Sequence, residues 1–332
     1  MNAILGYSEL MVEDHEDSLS PTVLADIRMV ITECARFLAK ADSFLTEGEE
    51  RTTTPEVVFD LTDRGPTLGD GRFETAMVLA GRVVFGAAHL VRLAQCCWVL
   101  GMPFDIDLAA EAMAAVAADL DFGALRLTVT RGNGPRGVVP PAAPHPRLIA
   151  SAAPADPAAA FAPLRLTETA IRCNDTSPLS RLKSLAYLDT VLATAGARAA
   201  GFDEALFLNT RGRVACAGTG NVFFLQGHNL LTPPLSEGVL DGIIRGWLLG
   251  HAAAAGLSIV EASVEPDALQ SADAILVTSS LRLIAPVTHL GPLALPPLPP
   301  VVAALAARLR TAIAADCGVT PDLVPGFEGP AP

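Results

Sequence analysis

From residue 164 onward the chain breaks into short apolar runs separated by tight turns, and this spacing limits the fold more than any other feature. Residues 164–173, 203–209, 213–217, 222–225, 230–232, 274–278 and 283–286 read as strands. They are punctuated by Arg211-Gly212, Gly218-Thr219-Gly220 and Gly227-His228-Asn229. Parallel neighbours need crossovers of about a dozen residues or more, so most of these strands must pair antiparallel. Mixed or antiparallel sheets are expected, and a doubly wound parallel sheet is excluded. Helices are read at 184–200, 241–254 and 301–315.

Upstream, residues 72–78 and 82–85 flank Ala80-Gly81 as a hairpin. Residues 86–100 form a helix with Leu90, Leu93, Cys97 and Leu100 on one face, and 124–130 a strand ending at the glycine-rich loop Arg131–Gly137. Residues 138–164 are dense in proline and alanine, and a domain junction is placed near their end. The first 50 residues differ from the rest, with eleven acidic residues against Arg28, Arg36 and Lys40. Ser20-Pro21 is a helix start, followed by a heptad seam of Leu24, Ile27, Ile31, Cys34, Leu38, Ala41 and Leu45. With a helix at 2–14 this is a helical hairpin. The organisation read from the chain is therefore a hairpin over 1–50, a small α/β domain over 56–155 and a larger domain over 165–320.

Composition narrows the function classes. Hydrophobic types make up 51% and charged types 18%, which excludes a disordered chain. A net charge of −13 argues against nucleic acid as partner. No apolar run reaches the roughly 18 residues of a membrane span, and the acidic start does not read as a signal peptide. Six cysteines without CxxC spacing argue against a structural zinc or other metal and suit a reducing cytoplasm.

Of 23 cationic side chains only two are lysines, Lys40 and Lys183. A lysine kept where arginine would serve solubility equally well suggests amine chemistry, because arginine cannot form a Schiff base. Lys183 lies where the polar run Ser180-Arg181-Leu182 enters an apolar helix, so it is expected in a first helical turn. Gly238–Arg245 reads as a turn feeding a helix N-terminus, an anion-binding feature, and Thr278-Ser279-Ser280 offers hydroxyls at a strand end.

Taken in order, Asp63-Arg64-Gly65, Gly69-Asp70-Gly71, Phe73-Glu74-Thr75, His89 to Leu93, Lys183 to Leu188, Gly201 to Leu208, Asn221-Val222-Phe223, Leu231 to Leu235, Gly238 to Arg245 and Thr278 to Leu281 resemble the class IV aminotransferases. These are the fold-type IV pyridoxal-phosphate enzymes: branched-chain and D-amino-acid aminotransferases and aminodeoxychorismate lyases. The resemblance covers about residues 57–290. It implies an α/β fold of two α+β domains with the cofactor, pyridoxal 5′-phosphate, in the cleft between them, and a homodimer acting on a small amino substrate. By position it makes Lys183 the Schiff-base lysine and Arg92 the grip on the cofactor phosphate. The backbone N–H groups of Ile243 and Ile244 with Ser279 and Ser280 complete the phosphate cup. Leu240 packs on the pyridine ring, and Arg131 contacts a substrate carboxylate. Cys216 occupies the position of the glutamate that pairs with the pyridine nitrogen, and a thiol is a weaker partner for it. Gly69-Asp70-Gly71-Arg72-Phe73-Glu74-Thr75 and the loop after Thr130 look most like the lyases that release 4-aminobenzoate and pyruvate. The other readings are an amino-acid aminotransferase and a non-catalytic dimerising or sensing protein. Residues 1–50 resemble the dimerisation hairpin of sensor histidine kinases without its phosphoacceptor histidine.

Overall fold

The computed structural model describes residue 60 and residues 62–327, with isolated positions 23, 27, 28, 31 and 32. The expected hairpin over 1–50 otherwise lies outside the described residues.

The first sheet is wholly antiparallel and four-stranded. Strand β1 (Gly71–Leu79) turns through Ala80-Gly81 into β2 (Arg82–Val83). Both turn residues have positive φ, 49° and 74°, the twist that a two-residue hairpin requires. β1 also pairs along its whole length with β3 (Phe122–Thr130), from Gly71 opposite Thr130 to Leu79 opposite Phe122. This register sends alternate residues to opposite faces. Val78, Leu125, Leu127 and Val129 are buried with Leu93 and Cys97 of helix α2 (Gly86–Val99) and Met113 of α3 (Ile106–Ala117). Phe73, Thr75, Arg126 and Thr128 share the other face. Short helix α1 (Arg64–Leu68) precedes the sheet, capped by the Asp63 side chain on the Gly65 N–H.

The second sheet has nine strands. It comprises β5 (Leu164–Glu168), β6 (Glu204–Leu208), β7 (Val214–Ala217), β8 (Asn221–Gln226), β9 (Asn229–Thr232), β10 (Ser258–Glu261), β11 (Ala274–Ser279), β12 (Leu283–Leu290) and β13 (Leu293–Ala294). The path β8-β11-β12-β5-β6-β7 closes on itself where Cys216 of β7 pairs with Asn221 of β8. The closed ring is filled from inside by Leu166, Leu206, Val214, Phe224, Val277 and Ala285. Period-two alternation therefore turns Phe207, Asn221 and Thr278 outward, and a register shift in the β6–β7 pair sets Cys216 beside Phe207 on that same outer face. Helix α4 (Leu188–Ala199) covers Ala205 and Phe207 with Ala193 and Ala197. Helices α5 (Ile243–His251) and α6 (Pro300–Cys317) bury Leu248, Leu305, Leu309 and Ile313 against Phe223, Leu276 and the β1 residues Met77 and Leu79. The sheet is mixed, with β5 parallel to β6 and β12, and β9 parallel to β10.

Three sequence expectations change. The helix expected over 184–200 starts only at Leu188, and Lys183 is not in a helix. Its segment is extended because it pairs with β1: Ser184 bridges Arg72, and Phe73 N–H donates to Lys183 O at 3.1 Å. The proline-alanine stretch holds strand β4 (Arg147–Pro154), paired to β3 over eight residues. Its Ala-rich sequence lacks the β-branched alternation that marks a strand. Beyond Leu164–Glu168 the expected long strand leaves the sheet, returning only at the isolated Cys173–Asn209 bridge.

Gly132, in the loop after β3, has φ 78°, and a Cβ there would lie 2.0 Å from the His145 carbonyl oxygen. Gly212 has almost the same φ, 79°, but open space around it. Gly212→Ala should cost about 1 kcal/mol from backbone strain alone, and Gly132→Ala at least about twice that. Urea unfolding of the two variants checks this, and equal costs would show that the His145 contact is soft.

Candidate active site

A cavity of about 610 Å³ lies between the open face of the first sheet and the outer wall of the closed ring. Lys183, Arg92, Cys216, Leu240, Ser279 and Ser280 all line it, with Ile243 and Ile244. Residues nearly 200 positions apart in the chain thus converge on one space.

The amine is placed by backbone pairing. Phe73 N–H donates to Lys183 O, and Leu185 N–H to Gly71 O at 3.2 Å. Lys183 Nζ then stands 4.4 Å from the centre of the Phe73 ring and 5.4 Å from that of Tyr187. Aromatic faces attract an ammonium but do not hydrate it. Burial, helped by Arg92 and Arg126 and opposed by Glu74, lowers its pKa from 10.5 to about 8.

Opposite lies the start of α5. Its N-cap, Gly242, offers no side-chain cap, so the first-turn amides at Ile243 and Ile244 lack the usual partner. Glycine is required at 242: a Cβ would lie 2.1 Å from Asn221 Oδ1. Asn221 in turn donates through Nδ2 to Leu240 O at 2.8 Å, fixing the loop that brings Leu240 to the cavity. At the end of β11, the hydroxyl of Thr278 is buried without a hydrogen-bond partner. Ser279 Oγ accepts from Arg282 N–H at 3.2 Å. Bare amides and hydroxyls around one point suit an anion with several acceptor oxygens.

Arg92 approaches this corner from α2, but it is not a free cation. Its Nε and Nη2 donate to the two carboxylate oxygens of Glu74 at 2.8 and 2.5 Å, and Nη1 to Asp241 O at 2.8 Å. His89, one helical turn earlier, places Nδ1 2.7 Å from Glu74 Oε2 and Nε2 3.3 Å from Ser280 Oγ. Burial alone would raise the Glu74 carboxyl, but hydrogen bonds from His89 and Arg92 outweigh it and keep the group below the ordinary carboxylate range. Burial lowers the His89 pKa, against the pull of Glu74 and with Arg92 and Lys183 adding to the effect.

At the other end of the cavity two thiols meet. Cys216 and Cys173 are hydrogen-bonded to one another, and Cys173 Sγ donates to Gly238 O at 3.2 Å. That contact, with burial, raises Cys216 well above an ordinary thiol, while Cys173 is lowered by the same contact. Cys216 therefore lines the cavity as a neutral thiol at neutral pH.

Arg131 is not brought there. Its Nε donates to Asp70 Oδ2 at 2.7 Å and its Nη2 to Leu100 O at 3.0 Å, behind the first sheet. Alternation along the strand puts it on the face of Leu127 and Val129, which packs against the helices. A second cation beside Lys183 stands against the aromatic wall: Arg126, whose guanidinium lies 3.8 Å from the Phe73 ring centre. Sequence reasoning missed it, along with the contribution of Tyr187. The available signal was an arginine at an alternate position of a strand otherwise made of Ala, Leu, Val and Thr.

The family model for class IV amino-transferases matches residues 71–290. Over 233 residues the chain is 33% identical to a putative branched-chain-amino-acid aminotransferase of Methanocaldococcus jannaschii, covering 68% of this chain and 80% of that one. The 4-amino-4-deoxychorismate lyase of Pseudomonas aeruginosa superposes with a TM-score of 0.72 at 32% identity, over 77% of this chain and 96% of the other. A putative lyase of the same kind from Legionella pneumophila gives 0.71 at 29% identity, over 79% and 97%. This chain belongs to the class IV aminotransferase family. It is a pyridoxal-phosphate enzyme of fold type IV. The residues of the cavity fit that cofactor: Lys183 offers a buried amine and the corner of amides and orphaned hydroxyl offers donors to an anion, while Cys216 lines the same cavity as a neutral thiol.

With two lysines in the chain, the amine can be tested directly. Pyridoxal phosphate followed by borohydride should label the peptide containing Lys183, with a yield that rises with pH through a midpoint near 8. An ordinary lysine, with a pKa near 10.4, is about two-hundredfold less deprotonated at pH 7. Mass mapping across a pH series checks this; a midpoint above 10 at Lys183 would overturn the account of its environment.

Proposed function

We propose that this enzyme cleaves or transaminates a small amino-carboxylate, and that its reaction is of the aminodeoxychorismate-lyase type, releasing 4-aminobenzoate and pyruvate. The observation that carries the reading is the buried amine of Lys183, with a pKa near 8, facing the anion corner across one cavity. Pyridoxal phosphate, when bound, supplies an electron-accepting ring conjugated to the substrate nitrogen. The chain's residues do the rest. Lys183 holds the cofactor and, once released, carries the proton on and off the carbon bearing the amine. Arg92, the amides of Ile243 and Ile244, and Ser279 and Ser280 hold the phosphate, and Leu240 packs on the ring.

Likeness to the two lyases, each matched over nearly its whole length, favours the elimination reading. The aromatic wall of Phe73 and Tyr187 suits a ring-bearing substrate, and Arg126 beside it offers a fork for a substrate carboxylate. The archaeal relative keeps branched-chain transamination as the second reading.

A homodimer is part of the proposal. Leu188, Val191 and Leu192 stand exposed on one face of α4, and Trp98 and Val99 at the end of α2. An apolar surface of that kind suits a second copy. Light scattering of the full chain should give twice its 34.4 kDa mass.

The reaction type is decided by product analysis. With aminodeoxychorismate, purified holoenzyme should release 4-aminobenzoate and pyruvate in equal amounts, and Lys183→Ala should release neither. Arg126→Leu should raise KM by about tenfold or more, the loss of one charge-assisted hydrogen bond of roughly 1.5–3 kcal/mol. Glutamate formed from branched-chain amino acids and 2-oxoglutarate, without cleavage of aminodeoxychorismate, would give the second reading instead.

A further inference from the structure

Ser280, His89 and Glu74 form a hydrogen-bonded chain from the cavity into the protein interior, and the positions of its protons are fixed by the groups around it. Glu74 is ionised and receives two bonds from Arg92, so the contact at 2.7 Å requires a proton on His89 Nδ1. The imidazole is 1% exposed, and the charged groups that face it are Glu74 from β1, Arg92 from its own helix and Lys183 from the segment before α4. Burial with the two cations beside it keeps it neutral. Its Nε2 is then a bare acceptor, satisfied at 3.3 Å by the one hydroxyl proton of Ser280. In that state Ser280 turns only lone pairs toward the cavity.

An anion in the corner reverses what is needed. Its oxygens require donors, and Ser280 has a single proton to give. If that proton rotates to the anion, Nε2 of a fully buried histidine loses its partner, which is costly. The charge tally points the same way: Arg92 and Glu74 cancel, so the corner offers a dianion no net charge from this cluster. One proton added to Nε2 corrects both deficits.

We infer that His89 is a proton-coupled positioning residue, which takes one proton from solvent at Nε2 when a phosphate monoester enters the corner and thereby turns Ser280 into a donor. No bond other than N–H is made, and the Ser280 proton moves only by rotation about its C–O bond. Glu74 makes the change tolerable, because a buried imidazolium beside a carboxylate is compensated. Arg92 and Lys183 oppose it, so without the anion the proton is not held. The proposal rests on reading this corner as the phosphate cup.

The test uses the full-length protein freed of cofactor, with pyridoxine 5′-phosphate, which lacks the reactive aldehyde, as the probe. Histidine 15N signals are recorded at pH 7.5 with and without saturating probe, and His89 is assigned by its absence in His89→Gln. Nε2 should give the signal of a bare nitrogen in the free protein and of a protonated one in the complex, with the titration midpoint raised by at least one unit. By linkage, probe affinity should then fall at least tenfold as pH rises through that midpoint. In Ser280→Ala the probe should still bind, but the His89 signal should not respond. Binding with an unmoved His89 signal overturns the proposal alone, including the case in which a proton is taken up by Lys183. Failure of the probe to bind at all overturns the phosphate-cup reading, and this proposal with it.

Discussion

The site depends on two backbone hydrogen bonds. Phe73 and Lys183 belong to parts of the chain more than a hundred residues apart, yet Phe73 N–H donates to Lys183 O and Leu185 N–H to Gly71 O. Three residues of an otherwise irregular segment thereby become an extra half-strand on β1. A side chain on such a segment alternates with its neighbours like any strand residue. The amine is thus held over Phe73 by main-chain geometry and not by a flexible loop. Its low pKa follows from that placement, since the aromatic wall removes water without supplying a counter-charge. Gly71 has no room for a Cβ, which would lie 2.7 Å from Val129 O and 2.6 Å from Leu185 Cδ1. Close approach of these segments needs the glycine.

The second constraint is the buried cluster of Glu74, His89 and Arg92. A carboxylate 1% exposed in an apolar sheet is tolerable only with several donors, and α2 provides them at positions one turn apart. The same alternation that points Phe73 and Thr75 to the cavity points Glu74 to the helix. Anion corner and amine wall are therefore built from consecutive residues of one strand. A one-residue slip in the β1–β3 register would exchange the two faces and destroy both.

Much of this was legible in the sequence, for identifiable reasons. The hairpin at Ala80-Gly81 and the short, mostly antiparallel strands after 203 followed from turn chemistry and alternation. The scarcity of lysine singled out Lys183 before any likeness was considered, and the ordered motifs supplied Arg92, Leu240 and the hydroxyl pair. What was not legible depends on long-range pairing. Lys183 was expected in a helix because residues 184–187 have helical composition, and nothing local shows that β1 captures them. β4 was hidden because alanine and proline carry little strand signal; its edge position and its pairing with β3 form it. Arg131 and Arg126 are five residues apart, an odd separation that puts them on opposite faces of the strand, and nothing local tells which face meets the other sheet. Glu74 and His89 lie in quoted motifs, but their contact with Ser280 exists only once two sheets meet.

The near-replacement of lysine by arginine has a consequence for the molecule as a whole. Arginine keeps its charge at every pH a folded protein normally meets. The cationic side of the surface is therefore almost rigid in charge, and does not soften as the medium turns alkaline. Among the described residues, the one basic amine able to change state just above neutrality sits at the cavity. A shift of pH in that range leaves the basic part of the protein's outer field nearly untouched and is felt inside. Solubility and long-range attraction are thus separated from the chemistry of the site, although both rest on positive charge.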